Sequence, residues 1–244
     1  MSRATVWLIA IAVMLVAAAA QANAQEAGTS VNAKYTALLA LDGNASAEPD
    51  ALQAVNVKSY KGEGGEGVLE FLHSDTLDGI GHMQIEDASK YDFGRRDFAI
   101  SAWIKTDAQN EGAIVSKASY VEGRGYKLKI NSGGTLAFSL WNEDESIELE
   151  TAQAINDGKW HHVAASRSSL WVKIFVDGEE KAFYLGGPVD ASNAGKLSIG
   201  AGMADYEWSG TPRAPFAGQV ASPKIYGNAI AEDGALELFA KGLA

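Results

Sequence analysis

The stretch "DFAISAWIK", residues 97–105, decides the fold. In an extended chain successive side chains point to opposite faces, so Phe98, Ile100, Ala102 and Ile104 share one side. Ala99, Ser101, Trp103 and Lys105 share the other. One wholly apolar side at period two is the pattern of a strand laid against a core.

Runs of the same kind surround it. They are "VLEFL" (68–72), "AIVSKA" (113–118), "YKLKI" (126–130), "TLAFSLW" (135–141), "SIELE" (146–150), "WHHVAAS" (160–166) and "LWVKIFV" (170–176). Turn-forming "NSGG" (131–134), "NDG" (156–158) and "DG" (177–178) separate them. Many short antiparallel strands at this spacing predict an all-β chain, a two-sheet antiparallel β-sandwich of jelly-roll type. One short C-terminal helix is predicted in "AEDGALELFAKG" (231–242), although Gly234 weakens helix propensity there. Residues 43–66 and 202–217 carry no clear period and read as irregular connections. Pro223 falls in the last predicted strand and calls for an edge or a bulge.

The first residues have the pattern of a secretory signal. Arg3 precedes an uncharged apolar run from Val6 to Ala20, and Ala22-Asn23-Ala24 offers a small-x-small cleavage site before Gln25. The expected division is a signal peptide at 1–24, a small polar leader at 25–33 and one domain at 34–242, in a secreted or periplasmic protein. The chain has no cysteine, which excludes disulfides, thiolate metal sites and cysteine nucleophiles. A formal charge of -11 argues against nucleic acid and anionic lipid as partners, since both need a basic face.

The succession "LALDGN" (39–44), "DFAISAWIKT" (97–106), "AIVSK" (113–117), "DGKWHHVAAS" (157–166), "IFVDGE" (174–179), "KLSIGAG" (196–202) and "FAGQVASPKIYGNAI" (216–230) resembles the laminin-G-like, concanavalin A-like domains of exported bacterial proteins. The resemblance implies a jelly roll, a fold that hosts lectins, glycanases, lyases and structural modules alike. It also implies a calcium site near the first and last strands, here at Asp42 and Asn44, since Ca²⁺ takes oxygen ligands. The acidic pair usual in the last strand is replaced by Ala221 and Ser222, which removes anionic ligands.

Three groups of residues invite a chemical reading. "WNEDESIELE" (141–150) is rich in carboxylates, and similar laminarinase-type glycosidases carry Glu-x-Asp-x-x-Glu or the unbulged Glu-x-Asp-x-Glu. Here Glu143, Glu145 and Glu148 fit the first spacing with Glu in place of Asp, and Ile147 ends the second. A retaining pair must sit about 5 to 5.5 Å apart, and alternation instead puts Ile147 and Leu149 inward with Ser146, Glu148 and Glu150 in solvent. The adjacent His161 and His162 face opposite ways on a strand and cannot grip one metal. In the long loop Asp205, Tyr206, Trp208 and Arg213 form the candidate ligand-binding group, the rings to stack on a sugar and the charged groups to orient it. Trp141 and Trp171 lie on strands whose facing alternation alone does not assign.

The sequence therefore predicts a non-catalytic exported recognition module for a glycan or another extracellular surface. A glycan-active hydrolase using Glu143, Glu145 or Glu148, and a protein-binding assembly module, are the alternatives.

Overall fold

The stretch 97–105 becomes strand β6 (Phe98–Lys105) in the middle of a sheet. Phe98, Ile100, Ala102 and Ile104 turn into the core as their period requires. The opposite side is covered too: Trp103 is only 9% exposed. A computed structural model describes residues 37–40 (backbone only), 52–62, 67–72, 80–186, 189–204 and 211–243.

Sheet one runs β13 (Glu179–Leu185), β12 (Trp171–Val176), β11 (Trp160–Arg167), β6, β17 (Gln219–Tyr226), β4 (Gly67–Phe71) and β3 (Val57–Lys61). Strand β1 (Ala37–Ala40) also pairs with β17. Sheet two runs β10 (Ser146–Ala154), β9 (Thr135–Trp141), β8 (Arg124–Ile130), β7 (Gly112–Ser119), β14 (Leu197–Ile199), β5 (His82–Ile85) and β2 (Leu52–Val55). All the described pairings are antiparallel. Inward residues of both sheets, among them Phe98, Tyr126, Phe138, Ile174 and Val220, form one continuous core. The predicted two-sheet sandwich is the observed fold.

Pro223 marks a bulge and not an edge. The register of β17 shifts between Ala221 and Lys224, with Ser222 at φ 47°. Before the bulge β17 pairs with β4, and beyond it with β1. The missing proline N–H falls where one neighbour gives way to the other, so no ladder bond is lost. The hairpin at Asp177-Gly178 has both residues at positive φ, 51° and 80°, the type I′ geometry that suits the twist of paired strands.

Two expectations need correction. Residues 43–66 are not all irregular, since Leu52–Val55 and Val57–Lys61 are strands on the rims of opposite sheets, joined through Asn56 at φ 50°. Both are largely exposed, so no burial period marks them in the sequence. Residues 202–217 are not a plain loop: β15 (Gly202–Ala204) and β16 (Thr211–Arg213) pair as a two-stranded ribbon. The apolar side of β6 faces the core as expected, and its other side is buried as well.

The C-terminal helix forms as α1 (Glu232–Ala240) despite Gly234. Glu232 and Asp233 in its first turn complement the helix dipole. Lys173, on β12, bonds to Glu232 and pairs with Glu180 at 2.8 Å, fixing this end to sheet one. Phe239 then packs beside Trp103, Trp160, Val68 and Ala221 on the outer side of that sheet.

Candidate functional site

The two outer faces of the sandwich differ in what covers them, and this selects the site. The outer side of sheet two carries a row of cross-strand neighbours, Ser116, Lys127, Ser139 and Glu148, one from each of β7, β8, β9 and β10; Ser116 is buried, and the face opens from Lys127 onward. One step along β9, Trp141 projects to this same side, because Leu140 and Phe138 are fully buried inward and Ser139 and Trp141 are half-buried. The tryptophan ring lies 6.3 Å from that of Tyr120, which the β7–β8 turn supplies. Lys127 Nζ donates to Tyr120 Oη at 3.1 Å. Two partly exposed rings with polar groups beside them make a shelf on which an apolar sugar face can stack while hydroxyls find partners. Glu148 is held in place by Ser139 Oγ at 3.2 Å and Lys129 Nζ at 3.4 Å.

The turn that holds Tyr120 also borders a polar cleft of about 510 Å³, whose lining includes Asp92, Lys117, Glu122, Arg124 and Asn193. Lys117 is 1% exposed and donates to the carbonyl oxygen of Asn193 at 2.5 Å and to its Oδ1 at 3.3 Å. Burial lowers its pKa, against the attraction of Asp92 and Glu122. Arg167, also fully buried, donates to the carbonyls of Val189 (2.8 Å) and Arg96 and lies 4.8 Å over the Phe98 ring. Burial holds it down to about 10. These cations use their bonds to fix the loops at this end of the sandwich.

The acidic run folds as the alternation requires. Ile147 is buried, Leu149 packs on the core, and Glu148 is exposed. Asn142 Oδ1 accepts from the backbone N–H of Asp144 at 2.9 Å and of Glu145 at 2.8 Å, so "NEDE" is a capped hairpin turn. Glu145 reaches Arg95 at 3.8 Å.

The two histidines do face opposite ways. His161 Nδ1 lies 2.8 Å from Asp177 Oδ2 and its Nε2 lies 3.1 Å from Asp157 Oδ1, which ties two turns together. The backbone N–H and side chain of Lys159 hold the Asp157 carboxyl down to about 2, and His161 adds to this. His162 lies on the covered side, 5.3 Å from the Trp103 ring and 6.5 Å from Phe239. Burial pulls its ring down to about 4, against the opposing pull of Asp177, and Nδ1 has no partner.

Of the predicted ligand group, Arg213 is exposed on β16, opposite Gly202. A Cβ on Gly202 would sit 3.5 Å from Lys127 Nζ, so the base of this ribbon adjoins the shelf. Asp205, Tyr206 and Trp208 lie outside the described residues, as do Asp42 and Asn44 of the calcium expectation. Among the described residues no His, Cys, Asp and Glu side chains group to hold a metal ion. Likewise, no helix among them is long and apolar enough to cross a membrane. Trp171 proves to lie on the outer side of sheet one, with Lys173 Nζ 5.0 Å from its ring. Tyr120, Lys127 and Ser139 were not singled out from the sequence. The alternation in "YKLKI" and "TLAFSLW" places Lys127, Ser139 and Trp141 outward, but strand pairing is needed to make them neighbours.

Two antiparallel sheets packed face to face make a β-sandwich of the jelly-roll class, which hosts lectins and enzymes alike. The model of a laminin G family, described as the concanavalin A-like lectin/glucanases superfamily, matches residues 77–233, and the chain belongs to that family. No curated protein matches it. Among solved structures it is similar to the binding domain of botulinum neurotoxin serotype G, at 14% identity and a TM-score of 0.63, over 84% of this chain and 51% of that one. The binding domain of botulinum neurotoxin DC in complex with rat synaptotagmin II gives 15% identity and a TM-score of 0.65, over 86% and 52%. The binding domain of Paraclostridial Mosquitocidal Protein 1 gives 14% and 0.65, over 86% and 53%. The chain thus spans about half the length of these domains, and the likeness is one of fold.

Proposed function

We propose that this protein is a non-catalytic, exported recognition module that binds a glycan on the outer face of sheet two. The observation that carries the reading is the shelf of Tyr120 and Trp141 beside Lys127, Ser139 and Glu148. Asp205, Tyr206, Trp208 and Arg213 belong to the same proposal as further ligand contacts. A structure of botulinum neurotoxin DC binding domain in complex with SialylT supports a glycan as ligand class, and one with rat synaptotagmin II keeps a protein as the competing partner. Glu148 serves better as a hydroxyl acceptor than as an acid catalyst, because it is exposed and already engaged by Ser139 and Lys129.

The deciding experiment is a glycan-array screen of wild type against Trp141→Ala and Trp208→Ala. The expected result is affinity weakened by up to about tenfold in both variants, since a stacking contact contributes up to about 1.4 kcal/mol. Wild-type binding in both would sink the proposed face. Release of reducing sugar from a β-glucan, abolished by Glu148→Gln, would replace recognition with hydrolysis.

A structural Ca²⁺ on Asp42 and Asn44 is a separate proposal. The part of the donor set that is described does not fit it well, because Ala221 is fully buried and has no side-chain oxygen. A melting midpoint raised by Ca²⁺ over chelator supports the ion, and an unchanged midpoint removes it.

A further inference from the structure

Strand β13 closes sheet one on one side, and among the described residues no strand is hydrogen-bonded to its outer edge, although β10 of sheet two comes near its first half. Its first half is guarded by charge: Glu179 pairs with Lys181 at 2.6 Å, and Glu180 with Lys173. Its second half, Phe183-Tyr184-Leu185, is uncharged and stands open at 47%, 45% and 73% exposure, with Leu170 nearby at 68%. Single exposed apolar residues are ordinary, but four together at the end of an edge strand form a contact surface.

The backbone defines how a partner would fit. Gly186 donates to the Leu170 carbonyl, and Tyr184 and Ala182 continue that parity opposite Val172 and Ile174. The peptide groups of Phe183 and Leu185 therefore point to the free edge.

We infer that a second copy of this chain pairs antiparallel with β13 about a two-fold axis through Phe183, joining the two copies of sheet one into a single sheet. In that register Phe183 meets Phe183, Tyr184 meets Ala182, and Leu185 lies along the aliphatic stem of Lys181. No carboxylate faces an apolar side chain. The alternative two-fold through Ala182 sets Glu180 opposite Tyr184 and Glu179 opposite Leu185, which desolvates charge for no return. Charge also selects the place of contact. Each copy carries a formal -11, so two copies meet most readily where the edge is neutral and flanking charges are internally paired. The inference does not depend on the ligand of sheet two.

The chain has no cysteine, so a single introduced thiol reports the register. In an edge-to-edge pair about Phe183 the two Cα atoms would be about 5.5 Å apart, within disulfide reach. Under mild oxidation Phe183→Cys should cross-link into a dimer, while Val121→Cys, on the β7–β8 turn, should not. In sedimentation equilibrium of the full chain, Phe183→Lys with Leu185→Lys should weaken the dimer by at least about tenfold. Val121→Lys should leave it unchanged. A wild type that stays monomeric at every concentration overturns the proposal, with or without a peptide bound to it. A cross-link through Ala182→Cys in place of Phe183→Cys overturns the register.

Discussion

The two outer faces of this sandwich are built from the same kind of strand and end in opposite states. On sheet one, Trp103, His162 and Trp160 point outward and are roofed by Phe239 of α1. On sheet two the equivalent outward positions are Lys127, Ser139, Glu148 and Trp141, and they stay accessible. A covered face must satisfy or neutralise every polar group it buries, whereas an open one can keep polar groups available to a ligand. Stability should therefore respond to changes on sheet one, and binding to changes on sheet two.

The largest break in that comparison is Trp103→Ala. Removing a buried ring between His162 and Phe239 should cost about 3 kcal/mol or more in urea unfolding, and a cost below about 1 kcal/mol would mean the helix does not seal this face. Next is acid. His162 titrates near 4 in the folded chain against an ordinary 6.5, so the unfolded chain takes up the proton first. Its contribution is complete above about pH 6.5 and is lost as pH falls toward 4, by up to about 3 kcal/mol. His162→Gln should flatten that part of the pH dependence of the urea midpoint. An unchanged slope would show that other groups set it.

Changes on the open face should move binding and leave the fold nearly alone. Trp141→Ala should weaken glycan binding by up to about tenfold while costing less than about 1.5 kcal/mol of stability, because the ring is only half-buried. A larger loss would mark the ring as part of the core. The smallest effect belongs to Glu148→Gln: its pair with the largely buried Lys129, which Glu111 also engages, should contribute less than about 1 kcal/mol to thermal stability.

The legible parts of the molecule were those where burial leaves a period. "TLAFSLW" and "SIELE" show their inward residues directly, and the structure pairs them as one hairpin with Ile147 opposite Leu140. Strands β2 and β3 were not legible, because rim strands with exposed side chains carry no such period. The candidate site was legible only in pieces. Trp141 stood out as a residue type, but nothing local tells that Tyr120, 21 positions earlier, comes to lie beside it.

The sequence by itself determined the class of fold, through the alternation of Phe98, Ile100, Ala102 and Ile104 and of the runs around them. It also set the opposed facing of His161 and His162, since that follows from strand geometry alone. Tertiary structure decided which outward face would be roofed. That choice rests on α1 folding back so that Phe239 reaches Trp103, and on Lys173 meeting Glu232 across 59 positions. These are contacts between distant segments, and no local pattern encodes them.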